Sequence, residues 1–64
     1  MAEIELNAFL KSKGLAPTGG QAKLLIRSGA VKVNGEVETR NKRKLHDGDV
    51  VECKGSAHTV ALRK

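Results

Sequence analysis

The chain reads as an α+β domain, with two N-terminal helices packed on a small antiparallel β-sheet. Three observations predict it. Apolar residues recur at helical spacing in residues 3–13 and again after Thr18. Beyond Gly29 the period shortens to two, as in Val31-Lys32-Val33. The polar turns Asn34-Gly35 and Asp47-Gly48-Asp49 then divide the remaining apolar pieces into short hairpin strands.

Residues 3–13 are expected to form helix one, because Leu6, Phe9 and Leu10 fall at i, i+3 and i+4 and make one apolar face. Glu3 and Glu5 near its start and Lys11 and Lys13 near its end suit the helix dipole, and Gly14 is a natural stop. Leu15-Ala16-Pro17 connects, with Leu15 folding back onto the core. Thr18 begins helix two, and Gln21 three residues later completes a capping-box pattern. Ala22, Leu25 and Ile26 are its buried face, and Gly29 ends it.

Val31-Lys32-Val33 alternates as a half-buried strand does, Asn34-Gly35 tolerates the positive φ of a tight turn, and Val37 and Thr39 continue on the return side. Val50-Val51-Glu52-Cys53 is a further strand, with Val51 and Cys53 facing inward. Lys54-Gly55-Ser56 turns again, and residues 59–62 are expected as an edge strand. No linker, repeat or low-complexity segment interrupts residues 1–64, which read as one domain.

A chain of 64 residues buries only about 60% of its unfolded surface, which leaves little room for an enclosed active site. Twelve Lys and Arg against 7 Asp and Glu give a net charge of +5. That balance favours an acidic partner: nucleic acid first, an anionic membrane surface second. The single cysteine, Cys53, excludes an intrachain disulfide and a cysteine-based zinc site, and reads as a small buried hydrophobe in a reducing compartment. No apolar run has the length of a signal h-region or a membrane span, so the expected setting is the cytoplasm, away from membranes. One Phe and no Tyr or Trp argue against a base-stacking platform. Contact with RNA would therefore run through phosphates and shape.

Thr18, Gly19 and Gly20 open a helix whose free N–H groups could seat a phosphate, although glycines there also relieve a crowded turn. Lys23 and Arg27 lie one turn apart, on a side distinct from the buried face. Two cations so placed repel, so a polyanion explains them better than local stability, with a solvated face as the competing reading. The densest charge is Arg40, Lys42, Arg43 and Lys44, expected in a loop between the hairpin and the next strand. Its competing reading is a solvated loop that blunts a sheet edge. Convergence of these basic elements on one small domain points to RNA. His46 and His58 lack ligand-spaced carboxylates or thiols, so no metal site is expected. No Ser/His/Asp or Cys/His arrangement is visible, so no catalytic residue, cofactor or enzyme activity is expected.

Four motifs, taken together, resemble a known family. They are Leu6-x-x-Phe9-Leu10, Gln21-Ala22-Lys23-x-Leu25-Ile26, Gly29-x-Val31-x-Val33-Asn34-Gly35 and Gly48-Asp49-Val50-Val51. Over residues 5–53 the chain resembles the RNA-binding domain of the ribosomal protein S-four type, the αL motif. It looks most like the small stand-alone bacterial members, the YbcJ-like proteins, in which the stretches Gly19 to Lys23 and Val37 to Arg40 recur.

The resemblance implies a monomeric, non-enzymatic module that sets helix two and the adjoining strand loops against structured RNA, rRNA or tRNA, at or near the ribosome. By position, the RNA-facing residues it implies are Thr18, Gly19, Gly20, Lys23, Arg27, Lys32, Asn34, Arg40, Lys42, Arg43 and Lys44. The wider family carries Ser-Arg where this chain has Thr18-Gly19, which implies more weight on Lys23 and the basic run. Larger relatives attach the domain to pseudouridine synthase or tyrosyl-tRNA synthetase units, which this chain lacks. Two rival readings stand beside RNA binding. One is an adaptor at the ribosome that binds an acidic protein. The other is a small-anion or nucleotide binder at Thr18 to Gly20, which the lack of a base-holding aromatic near that loop disfavours.

Overall fold

The computed structural model describes residues 3–62. Its elements, in order, are β1 (Ile4–Glu5), α1 (Leu6–Ser12), α2 (Gly19–Arg27), β2 (Val31–Val33), β3 (Glu36–Val37), β4 (Lys44–Leu45), β5 (Val50–Cys53) and β6 (Ser56–Thr59). The four-stranded sheet has the order β3-β2-β5-β6, all antiparallel, and β1 pairs with β4 in a separate two-stranded sheet. This is the α+β arrangement expected, with the sheet divided in two.

One core joins both sheets to both helices. Leu6, Phe9 and Leu10 of α1 and Ala22 and Ile26 of α2 are buried with Val31, Val33, Leu45, Val51, Cys53 and Val60. Burial of each large member contributes about 1.5–3 kcal/mol, so the nine Leu, Ile, Val and Phe side chains of this cluster carry the domain. Alternation settles which strand residues enter. Val31 faces Cys53 and Val33 faces Val51 on the inner side, while Lys32 lies opposite Glu52 on the outer side. Leu15 packs against this core and Ala16 is buried within it.

Thr18 caps α2: its hydroxyl oxygen accepts from the Gln21 N–H at 3.1 Å. The Asn34-Gly35 turn has φ of 53° and 85°, the paired positive values of a tight hairpin. Gly29, at φ 84°, turns the chain out of α2.

Three expectations are corrected. Helix one begins at Leu6 rather than Glu3, because Ile4 and Glu5 are extended and pair with Leu45 and Lys44. Glu3 and Glu5 consequently lie before the helix, with Glu5 at its N-cap position: Glu3 meets His46 at 2.9 Å and Glu5 faces Lys44 at 4.0 Å. The basic run is not wholly loop, since Lys44 lies in β4. The last strand is Ser56–Thr59 rather than 59–62, and its register places Ser56 opposite Cys53 and Thr59 opposite Val50. For Ile4, Glu5 and Lys44 a partner distant in sequence sets the boundary, whereas β6 is bounded by the tight Lys54-Gly55 turn that pairs it with neighbouring β5.

Candidate nucleic-acid interface

Two basic regions flank the core, and they are built differently. On α2, Ile26 and Ala22 are fully buried while Lys23 and Arg27 are exposed on the other side. Leu25, expected inside, is only half-buried, and Leu24 is 64% exposed beside the two cations. Among the described residues, neither Lys23 nor Arg27 forms an ion pair with a carboxylate. Gly19 lies outside the left-handed region, and a Cβ added there would meet nothing within 4 Å. Thr18, Gly19 and Gly20 thus form an open, accessible helix start.

The second region is organised around an acid. Glu38 follows β3 and is 7% exposed, whereas its neighbour Val37 is 55% exposed. Just past the end of β3, the chain thus turns a carboxylate inward, with the Glu38 N–H donating to Val31 O at 3.0 Å. Its oxygens accept from Arg40 Nε at 2.9 Å, Arg40 Nη2 at 3.2 Å, Arg43 Nη1 at 2.7 Å and the Arg40 backbone N–H at 3.0 Å. Those bonds, the Arg40 side chain's first and the Arg43 side chain's next, hold the Glu38 carboxyl at about 2, down from 4.5, against the opposing effect of burial.

The same segment is fastened to α1. That helix has no side-chain cap, and its first N–H groups instead donate to loop carbonyls: Leu6 N–H to Arg43 O at 2.8 Å and Asn7 N–H to Asn41 O at 3.1 Å. Leu45, fully buried, anchors the far end. Arg40, Lys42, Arg43 and Lys44 consequently line one open concavity on a fixed backbone.

The remaining residues implied by the resemblance are dispersed. Lys32 lines a different concavity with Glu52 and Lys54. Asn34 is exposed, but its amide is engaged within the chain: Nδ2 donates to Asp49 at 3.2 Å, and Oδ1 accepts from the Val50 N–H at 3.0 Å. The Asp49 carboxyl is held below its usual range by the His46 backbone N–H first and by Asn34 second. Asn34 therefore ties the hairpin to β5, and a role towards RNA would be through the turn's shape. Sequence reasoning passed over Glu38. The available signal was an acid two residues before Arg40 and five before Arg43, inside the densest run of positive charge.

Comparison with known proteins agrees with this architecture. The family model described as S4 domain matches residues 2–61. The chain is 44% identical over 59 residues to the protein named "Putative RNA-binding protein YbcJ" of Escherichia coli (strain K12), covering 92% of this chain and 81% of that protein. It is also 44% identical over 52 residues to the "Probable ribosome maturation protein RlbA" of Bacillus subtilis (strain 168), covering 81% of this chain and 73% of that one.

Proposed function

The chain belongs to the S4 domain family, and from that premise we propose that it is a non-enzymatic RNA-binding protein. Its target is structured RNA, and it docks mainly through phosphates. The observation that carries this reading is the concavity lined by Arg40, Lys42, Arg43 and Lys44 on a backbone tied to α1 and the core. Glu38 and Glu5 offset part of the charge, but four cations against two carboxylates leave the place net positive, and a polyanion relieves the remaining repulsion. Lys23 and Arg27, exposed and without ion pairs among the described residues, add a second basic strip.

The names of the two relatives support an RNA partner and association with the ribosome. We take the setting to be cytoplasmic, with rRNA as the first target to try and the chain acting as a monomer. No helix among the described residues is long and apolar enough to cross a membrane.

Titration against an RNA stem–loop over a range of salt tests the mechanism. With about 4–6 phosphates neutralised, log affinity should fall with log salt at a slope of roughly −3 to −5. A slope near zero would remove the phosphate mechanism. Ribosome co-sedimentation before and after RNase separates RNA from an acidic protein partner: retention after digestion would favour the protein.

A further inference from the structure

Glu38, just beyond β3, is buried at a position where an apolar residue would ordinarily sit, with its backbone N–H donating to Val31 O at 3.0 Å. A carboxylate is a poor choice there unless its ionised form does something an apolar residue cannot. Its partners indicate what that is. Arg40 is engaged through Nε and Nη2, which leaves Nη1 and its hydrogens unused by Glu38. Arg43 is engaged through Nη1, which leaves Nε and Nη2. Each guanidinium is held at one edge and open at another. The two side chains are 74% and 29% exposed, so donors remain within reach of a ligand. Both groups also line the basic concavity.

Building on the RNA-binding reading, we infer that Glu38 is a positioning residue that locks Arg40 and Arg43 into a pre-ordered seat for one RNA backbone phosphate. Arginine binds phosphate through paired N–H donors, a geometry that a freely rotating side chain must first be ordered to supply. Glu38 does that ordering before RNA arrives. The consequence runs against simple charge counting. Removing an acid from a chain of net charge +5 should tighten binding to a polyanion if only charge mattered. Here removal weakens it.

The test is a titration of a fluorescein-labelled RNA stem–loop at fixed salt with wild type, Glu38→Gln, Arg40→Lys and the double variant, each checked for folding by circular dichroism. Glu38→Gln should weaken binding by about 3- to 10-fold, the scale of ordering one or two long side chains on binding. Arg40→Lys keeps the charge at an exposed position but loses the fork, and should weaken binding to a similar degree. In the Arg40→Lys background, Glu38→Gln should add less than it does alone, which a purely structural role for Glu38 would not produce. Should Glu38→Gln fail to fold, Arg40→Lys decides by itself, and binding equal to wild type overturns the seat. Folded Glu38→Gln that binds as tightly as wild type or tighter overturns it too. Absence of wild-type binding would sink the RNA reading and this inference together, whereas wild-type binding undiminished in both variants would sink the inference alone.

Discussion

The exposed side of α2 and the segment from Glu38 to Leu45 present similar charge by opposite means. On α2 a regular, capped helix displays Lys23 and Arg27 on a scaffold fixed by Ala22 and Ile26 behind them, and neither cation has a carboxylate partner among the described residues. Between Glu38 and Leu45 there is only a two-residue strand, yet the arginines are held by a buried carboxylate and the backbone by α1. The helix orders its backbone and leaves its charges without carboxylate partners among the described residues. The loop orders its charges and draws its backbone order from elsewhere. Unpaired cations suit long-range attraction, and fixed ones suit a defined contact.

The comparison breaks most severely from underneath the helix. Ile26→Ala should cost about 2–5 kcal/mol, as other fully buried truncations do, while half-buried Leu25→Ala should cost less and Lys23→Ala should stay within about ±0.5 kcal/mol. Denaturant midpoints measure all three. Equal midpoints would mean that α2 does not turn Ile26 inward.

Acid should separate the regions next. The Glu38 carboxyl titrates at about 2 in the fold against an ordinary 4.5. Its ionised form therefore contributes stability that is fully present above 4.5 and is lost as pH falls from there towards 2. Asp49, also lowered, acts in the same direction. Thermal midpoints should fall across that window, and Glu38→Gln should flatten the fall. Because α2 contains no carboxylate, Lys23→Ala should leave the acid profile unchanged. An identical profile for Glu38→Gln and wild type would show that the buried acid is not tied to folding.

Charge removal sharpens the contrast in binding. Lys42 and Lys44 can be neutralised without stripping Glu38 of its arginines. Neutralising that pair should weaken binding to an RNA stem–loop more than neutralising Lys23 and Arg27, because it acts beside ordered cations. Each lost phosphate contact should flatten the salt slope by roughly 0.7–0.9. The reverse ranking would move the main RNA contact to α2.

The smallest expected effect is a gain. Gly19→Arg adds a cation at an open helix start free of positive-φ strain. It should strengthen binding and steepen the salt slope by roughly 0.7–0.9 if one phosphate is engaged, with the unfolding midpoint unchanged. An unaltered slope would place the α2 start away from RNA.

Much of the molecule was legible in its residues. Thr18, Gln21 and Gly29 bracket α2, Asn34-Gly35 marks a turn that needs two positive φ values, and the alternation of Val51 and Cys53 shows which face is buried. These are local rules, enforced by neighbouring backbone hydrogen bonds and sterics, so a short window contains the information. The basic residues of the candidate interface were legible as charges for the same reason. What only the tertiary structure decided involves partners far apart along the chain. Ile4 and Glu5 become strand because Leu45 and Lys44 come to them, and α1 goes uncapped by side chains because the carbonyls of Asn41 and Arg43 reach its first turn. Glu38 finds its arginines only two and five residues away, and what the fold adds there is the burial of the carboxylate beneath them. Strand pairing, loop docking and charge burial depend on which surfaces the folded core brings together, and no local window of sequence contains that.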